Sequence, residues 1–173
     1  GEYVQQHPKA RDARLNYARL LVNDRKYAEA RKQFEALLRE FPENAEVSMA
    51  VALLAMQAND LDAADTQLKR VLELNYKEPD TARFYLGQVN EERKRYDEAL
   101  KWYSSVGAGG QYIRAQSRYA GVLAKQGKLP EARQHLQNAA VESNQERVQH
   151  TQAEAQLLRD ASDYQAAFEL LGR

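Results

Sequence analysis

The chain contains no cysteine, which excludes a disulfide framework, a thiolate nucleophile and thiolate metal sites. It is poor in β-branched residues: ten Val, one Ile and three Thr among 173 positions, against an abundance of Ala, Leu, Glu, Gln and Arg. A sheet-based fold is therefore disfavoured, and helix is expected nearly throughout. Long apolar runs are missing too. The longest, Met49 to Met56, is far short of the roughly 20 residues that a spanning helix needs. Charge of one sign is not in excess, with 25 cationic against 25 anionic side chains, so attraction to phosphate backbones or anionic lipid would require a local patch. No phosphate-cradling or nucleophile-elbow motif occurs: neither G-x-x-x-x-G-K-[ST], G-x-G-x-x-G nor G-x-S-x-G is present. The three histidines, His7, His135 and His150, lie on separate predicted helices without the i, i+4 spacing of a helical metal pair, and are read as surface residues. Adjacent acids such as Glu91 and Glu92 diverge by about 100° around a helix and do not converge on one substrate atom. Catalysis, a metal, a cofactor and a small-molecule substrate are thus not expected.

What is present is a repeat. The segments Lys26-Tyr27-Ala28-Glu29-Ala30, Asp60-Leu61-Asp62-Ala63-Ala64, Arg95-Tyr96-Asp97-Glu98-Ala99, Lys128-Leu129-Pro130-Glu131-Ala132 and Asp163-Tyr164-Gln165-Ala166-Ala167 share one register, their closing alanines 34, 35, 33 and 35 residues apart. Four residues beyond each Ala stands Phe34, Leu68, Tyr103, Leu136 or Leu171. Thirteen before it stands Tyr17, Val51, Leu86, Tyr119 or Glu154, followed by the small residue Ala18, Ala52, Gly87, Ala120 or Ala155. Small residues on two successive helices allow a close crossing, and a larger side chain at either would push the pair apart. The prolines agree: Pro42 falls where a helix must stop and Pro130 within a first turn, where its missing N–H costs nothing. Ser143 with Glu146, and Ser162 with Gln165, have capping-box spacing.

The pattern resembles the tetratricopeptide repeat, W-x2-L-G-x2-Y, then A-x3-F, then P, over essentially the whole chain. The resemblance implies an all-α fold, a right-handed α-solenoid of helix-turn-helix repeats. The expected division is 1–10 as the tail of a preceding repeat, then repeats at 11–44, 45–79, 80–112, 113–147 and 148–173, the last truncated, all in one solenoid domain. In this register Tyr3 to His7 ends an upstream second helix and Arg173 falls inside one, as in a piece cut from a longer array. The Trp slot is polar (Arg14, Ser48, Arg83, Gln116), and its packing role is expected to pass to Ala13, Val47, Ala82 and Ala115. Gly107-Ala108-Gly109-Gly110 should shorten the second helix of the third repeat.

In this family the first helices of successive repeats line a concave groove. By resemblance, the partner-binding candidates are Leu15 and Arg19, then Met49, Leu53 and Met56, then Phe84, Tyr85 and Gln88, and finally Arg114, Arg118 and Lys125. They read as an apolar floor leading to a basic end. Flexible Met suits a surface that accepts several apolar partners, and guanidinium forks suit a carboxylate. The competing reading packs the apolar stripe between neighbouring first helices and balances the cations with Glu91 and Glu92. A two-carboxylate clamp of Lys, Asn, Asn, Lys and Arg, as in chaperone-binding members, is not matched by Met49, Leu53, Tyr85, Arg114 and Arg118.

The stretch Arg83-Phe84-Tyr85-Leu86-Gly87, then Tyr96-Asp97-Glu98-Ala99, Trp102-Tyr103, Gly110, Tyr112 and Arg118-Tyr119-Ala120 is similar to bacterial tetratricopeptide proteins, including envelope lipoprotein adaptors. That implies a periplasmic or membrane-anchored setting, with the cytoplasm as the alternative. The expected function is a non-enzymatic adaptor or scaffold that binds a protein or peptide segment in the groove. The alternative is a structural spacer or self-association unit of a larger protein. Nucleic-acid binding, resting only on Arg114, Arg118 and Lys125 near Tyr85, is disfavoured.

Overall fold

The computed structural model describes residues 8–139 and 144–171, and among these every regular element is an α-helix. The helices are α1 (Pro8–Asn23), α2 (Tyr27–Glu40), α3 (Ala45–Gln57), α4 (Leu61–Glu73), α5 (Pro79–Glu92), α6 (Tyr96–Ser104), α7 (Tyr112–Lys125), α8 (Leu129–Asn138), α9 (Asn144–Asp160) and α10 (Tyr164–Leu171). They form two compact units, residues 1–89 and 90–173.

In the first unit α1 packs on α2, α2 on α3 and α3 on α4. Its core joins Ala18, Leu21, Ala30, Phe34, Leu37, Val47, Val51 and Leu54. In the second unit α6 packs on α7, α7 on α8, and α9 against α7, α8 and α10. Ala120, Leu123, Ala132, Leu136 and Leu157 make one of its clusters.

The small residues sit where a close crossing requires them. Ala18, Ala52, Ala120 and Ala155 on first helices, and Ala30, Ala64, Ala99 and Ala132 on second helices, have no exposed surface, and Ala167 has 3%. Gly87 is likewise buried. The large residue four positions on is buried in Phe34, Leu68, Tyr103 and Leu136, whereas Leu171 is exposed. The packing role of the polar Trp slot passes as expected to Val47, Ala82 and Ala115 but not to Ala13, which is exposed. The Gly-rich stretch holds α6 to 9 residues, against 14 in α2 and 13 in α4.

Every turn between a first and a second helix is built alike. Arg25, Asn59, Lys94, Gly127 and Ser162 each lie five residues before the closing Ala and each has a positive φ, between 56° and 78°. The amide of the next residue donates five residues back: Lys26 to Leu21, Asp60 to Ala55, Arg95 to Asn90, Lys128 to Leu123 and Asp163 to Leu158, at 2.8 to 2.9 Å. These are Schellman closures, which satisfy carbonyls that the helix end leaves over. The capping expectation at Ser162 is corrected by this geometry. Ser162 holds the left-handed position, and Asp163 Oδ1 accepts from the Ala166 amide at 3.2 Å. The partner expectation at Ser143 lies outside the described residues. Asn44 and Asp60 cap α3 and α4 in the same way, accepting from Val47 and Ala63.

Candidate functional site

The first helices α1 and α3 carry their apolar residues on more than one face. One set enters the core. A second set, Leu15, Val22, Ala50 and Leu53, lines an open groove of about 560 Å³ within the first unit. Tyr27, Phe34, Val47 and Leu54 lie at its floor, and Arg19, Asn23, Asn44, Glu46 and Gln57 supply its polar lining. Leu53 remains 39% exposed, the largest apolar side chain of α3 left to solvent.

The expected residues distribute unevenly. Leu15, Arg19 and Leu53 line the groove. Met49 and Phe84 do not stand open: they are 6% and 1% exposed, which corrects their placing on an accessible floor. Both occupy the repeat slot of Leu15, and in both the side chain is buried. Met56, Tyr85 and Gln88 are half-buried, and the Tyr85 ring meets the Phe84 ring edge-on at 5.8 Å.

The basic end belongs to the second unit, and most of its charge is met internally. Glu91, 8% exposed, accepts from Lys125 Nζ at 2.7 Å and has Arg118 at 3.6 Å, both through Oε1. Its Oε2 accepts from the Tyr103 hydroxyl at 2.8 Å. Burial, with the Glu91 carboxylate beside it, pushes the Tyr103 phenol far above its ordinary value, so it stays protonated and donates. Arg114 is exposed and bonds to Gln111, the residue before its own helix, at 3.1 Å. Arg118 and Lys125 are thus anchored by a buried carboxylate in their own unit. Only the Glu91 half of the charge-balance expectation holds, since Glu92 is exposed.

The histidine expectation is corrected as well. His150 is 9% exposed and His135 is half-buried, its Nε2 lying 2.5 Å from Gln116 Oε1 and its ring stacked on Tyr119 at 4.1 Å. Their repeat positions could have signalled this, because His150 takes the slot of the packing residues Val47, Ala82 and Ala115. No group of three or more metal-ligating side chains occurs among the described residues, and no described helix is long and apolar enough to cross a membrane.

Known proteins of the same architecture have been solved. MamA of Desulfovibrio magneticus RS-1 superposes with a TM-score of 0.73 at 18% identity, over 94% of this chain and 91% of that one. The Pseudomonas aeruginosa pilF structure gives 0.69 at 17% identity, over 94% and 74%. YrrB, described as a TPR protein with an unusual peptide-binding site, gives 0.69 at 16% identity, over 99% and 88%. These likenesses establish the fold. In sequence, a TPR repeat-containing protein of Pseudomonas aeruginosa is 35% identical over 92 residues, 53% of this chain, and the chain spans only 16% of that relative's length. The family profile described as Tetratricopeptide repeat matches residues 2–45, 15–64 and 50–113, more than half of the sequence. The chain belongs to the tetratricopeptide repeat family.

Proposed function

We propose that the chain is a non-enzymatic protein-interaction module that holds a segment of a partner protein in the groove between α1 and α3, as an adaptor or scaffold does. One observation carries this: Leu15, Val22 and Ala50, at the edge of the core, and the exposed Leu53 line a concavity of about 560 Å³. An apolar anchor seated there loses water, while Arg19, Asn23, Glu46 and Gln57 are placed to fix the orientation of a polar backbone. The description of YrrB as a peptide-binding member is consistent with this use. The internal pairing of Arg118 and Lys125 with Glu91 argues against a phosphate-binding patch.

The test selects peptides from a displayed library against the protein, with a Leu53→Glu variant as counter-target. Leu53 is partly exposed, so the variant should keep its fold by circular dichroism. Peptides with an apolar anchor that bind the parent and lose at least about tenfold in affinity for the variant support groove binding. Peptides that bind both equally refute it. Self-association is the second reading, favoured by the exposed apolar side chains Tyr17, Leu20 and Phe168, the last 76% exposed. A strict monomer by sedimentation equilibrium at high concentration would dismiss it.

A further inference from the structure

In repeat proteins, equivalent positions of successive junctions can be compared directly. The slot of Ala13 is filled by Val47, Ala82 and Ala115 and then by His150; the slot of Tyr17 by Val51, Leu86 and Tyr119 and then by Glu154. Val47, Val51, Ala82, Leu86 and Ala115 are 3% exposed or less. The junction made by α9 keeps the burial and changes the chemistry, with His150 at 9% and Glu154 at 5%.

Glu154 is compensated. Its Oε1 accepts from Gln137 Nε2 at 2.9 Å and from Arg133 Nε at 3.4 Å, both on α8. His135, on the same helix, is held by Gln116 and Tyr119 of α7. The group without compensation is His150, whose Nε2 is buried and has no hydrogen-bond partner. A neutral imidazole tolerates this at the cost of one unmade bond. An imidazolium there would carry a second N–H donor and a charge into a site with no acceptor for that nitrogen.

We propose that the contact of α9 with α7 and α8 is an acid-sensitive seam, at which protonation of His150 loosens the α9–α10 pair. The titratable and charged groups on the helices around it are Tyr112, Arg114, Arg118, Tyr119 and Lys125 on α7, Glu131, Arg133 and His135 on α8, Glu146, Arg147, Glu154, Arg159 and Asp160 on α9, and Tyr164 and Glu169 on α10. Glu154 favours the imidazolium, but burial outweighs it and holds His150 below the ordinary 6.5. His135 is held low by burial first and by His150 second, so the two imidazoles oppose charging together.

The sign follows from linkage. The unfolded chain takes up a proton near pH 6.5 while the packed seam does not, so stability is full above that value and falls as pH drops through the folded-state values. Each unit of depression corresponds to about a tenfold rise in the opening equilibrium at low pH. Opening would uncover Leu136 and Leu123, which share a cluster with Leu157 of α9. None of the groove residues takes part, so this inference stands or falls independently of the peptide-binding proposal.

Amide hydrogen exchange of the whole chain at about pH 7.5 and about pH 5, corrected for intrinsic rates, tests the seam, with a nuclear magnetic resonance titration of His150 alongside. Protection in α9 and α10 should fall more than in α7 on acidification. His150→Ala, which restores the residue found at Ala82 and Ala115, should abolish that difference; His150→Gln serves if the alanine variant does not fold. Equal protection of α9 and α7 at both pH values overturns the seam. So does the same selective loss in the folded His150 variant.

Discussion

Replacing Lys94 by glycine should stabilise the protein, although glycine in the interior of a helix ordinarily weakens it. Lys94 sits in the turn between α5 and α6 with φ at 58°, where a side chain brings Cβ against the following carbonyl and costs roughly 1–2 kcal/mol. Glycine removes that strain but gives back about 0.5–1 kcal/mol through the greater freedom of its unfolded chain. The net gain is therefore between about 0 and 1.5 kcal/mol, and for a chain of this size the upper end corresponds to a rise in Tm of about 3–6 °C. Lys94 is exposed, so little packing is lost with its side chain. The reverse change at the equivalent position, Gly127→Lys (φ 78°), should cost a similar amount; nothing lies within 4 Å of a Cβ built there, so the effect would be conformational rather than steric crowding by neighbours. Thermal unfolding followed by circular dichroism at 222 nm measures both. If Lys94→Gly lowers Tm and Gly127→Lys leaves it unchanged, the left-handed turn is not what closes these pairs.

Three further outcomes follow from the packing. Phe84→Ala should cost about 3–5 kcal/mol and lower Tm by about 10 °C, because the ring is 1% exposed; a loss below about 1 kcal/mol would return Phe84 to the open surface. Ala99→Leu, which thickens a crossing point with no exposed surface, should destabilise by about 1–3 kcal/mol in urea titration, and wild-type stability would refute the close crossing. Lys125→Met should cost about 1–2 kcal/mol, since its partner Glu91 is buried while Lys125 itself is half exposed. A double-mutant cycle with Glu91→Gln should show coupling, and additivity would mean that the pair contributes nothing.

Much of the fold was legible because a repeat states its own rule several times. The alanines of both helices recur at a fixed spacing, and one steric demand explains all of them. The turn was less legible. Gly127 and Asn59 announce a positive φ, while Arg25, Lys94 and Ser162 adopt it without that signal, which also misplaced the cap by one residue at Asp163. Groove residues expected at Leu15, Arg19 and Leu53 line an open concavity. Those expected at Met49 and Phe84 were misread, because spacing gives the face of a helix but not whether another element covers it.

Comparison of equivalent slots separates what the repeat needs from what this chain has added. The series Val22, Met56, Glu91, Ala124 begins apolar, and the appearance of a buried carboxylate at its third place has no origin in helix pairing. Desolvating that carboxylate is unfavourable by itself, and the chain offsets it with the Tyr103 hydroxyl, Lys125 and Arg118. The same offset is made at Glu154, by Arg133 and Gln137, but not at the Nε2 of His150. In each case an apolar slot, which would have held the helices together at lower cost, carries ionisable groups instead. Such positions break the local rule of the repeat, and it is at rule-breaking positions that function or strain is expected. Exchanging His150 and Glu154 for Ala and Leu, the residues of the α5 junction, should accordingly raise Tm at neutral pH. If it lowered Tm, the polar junction would be the more stable packing, and a structural role would suffice for it.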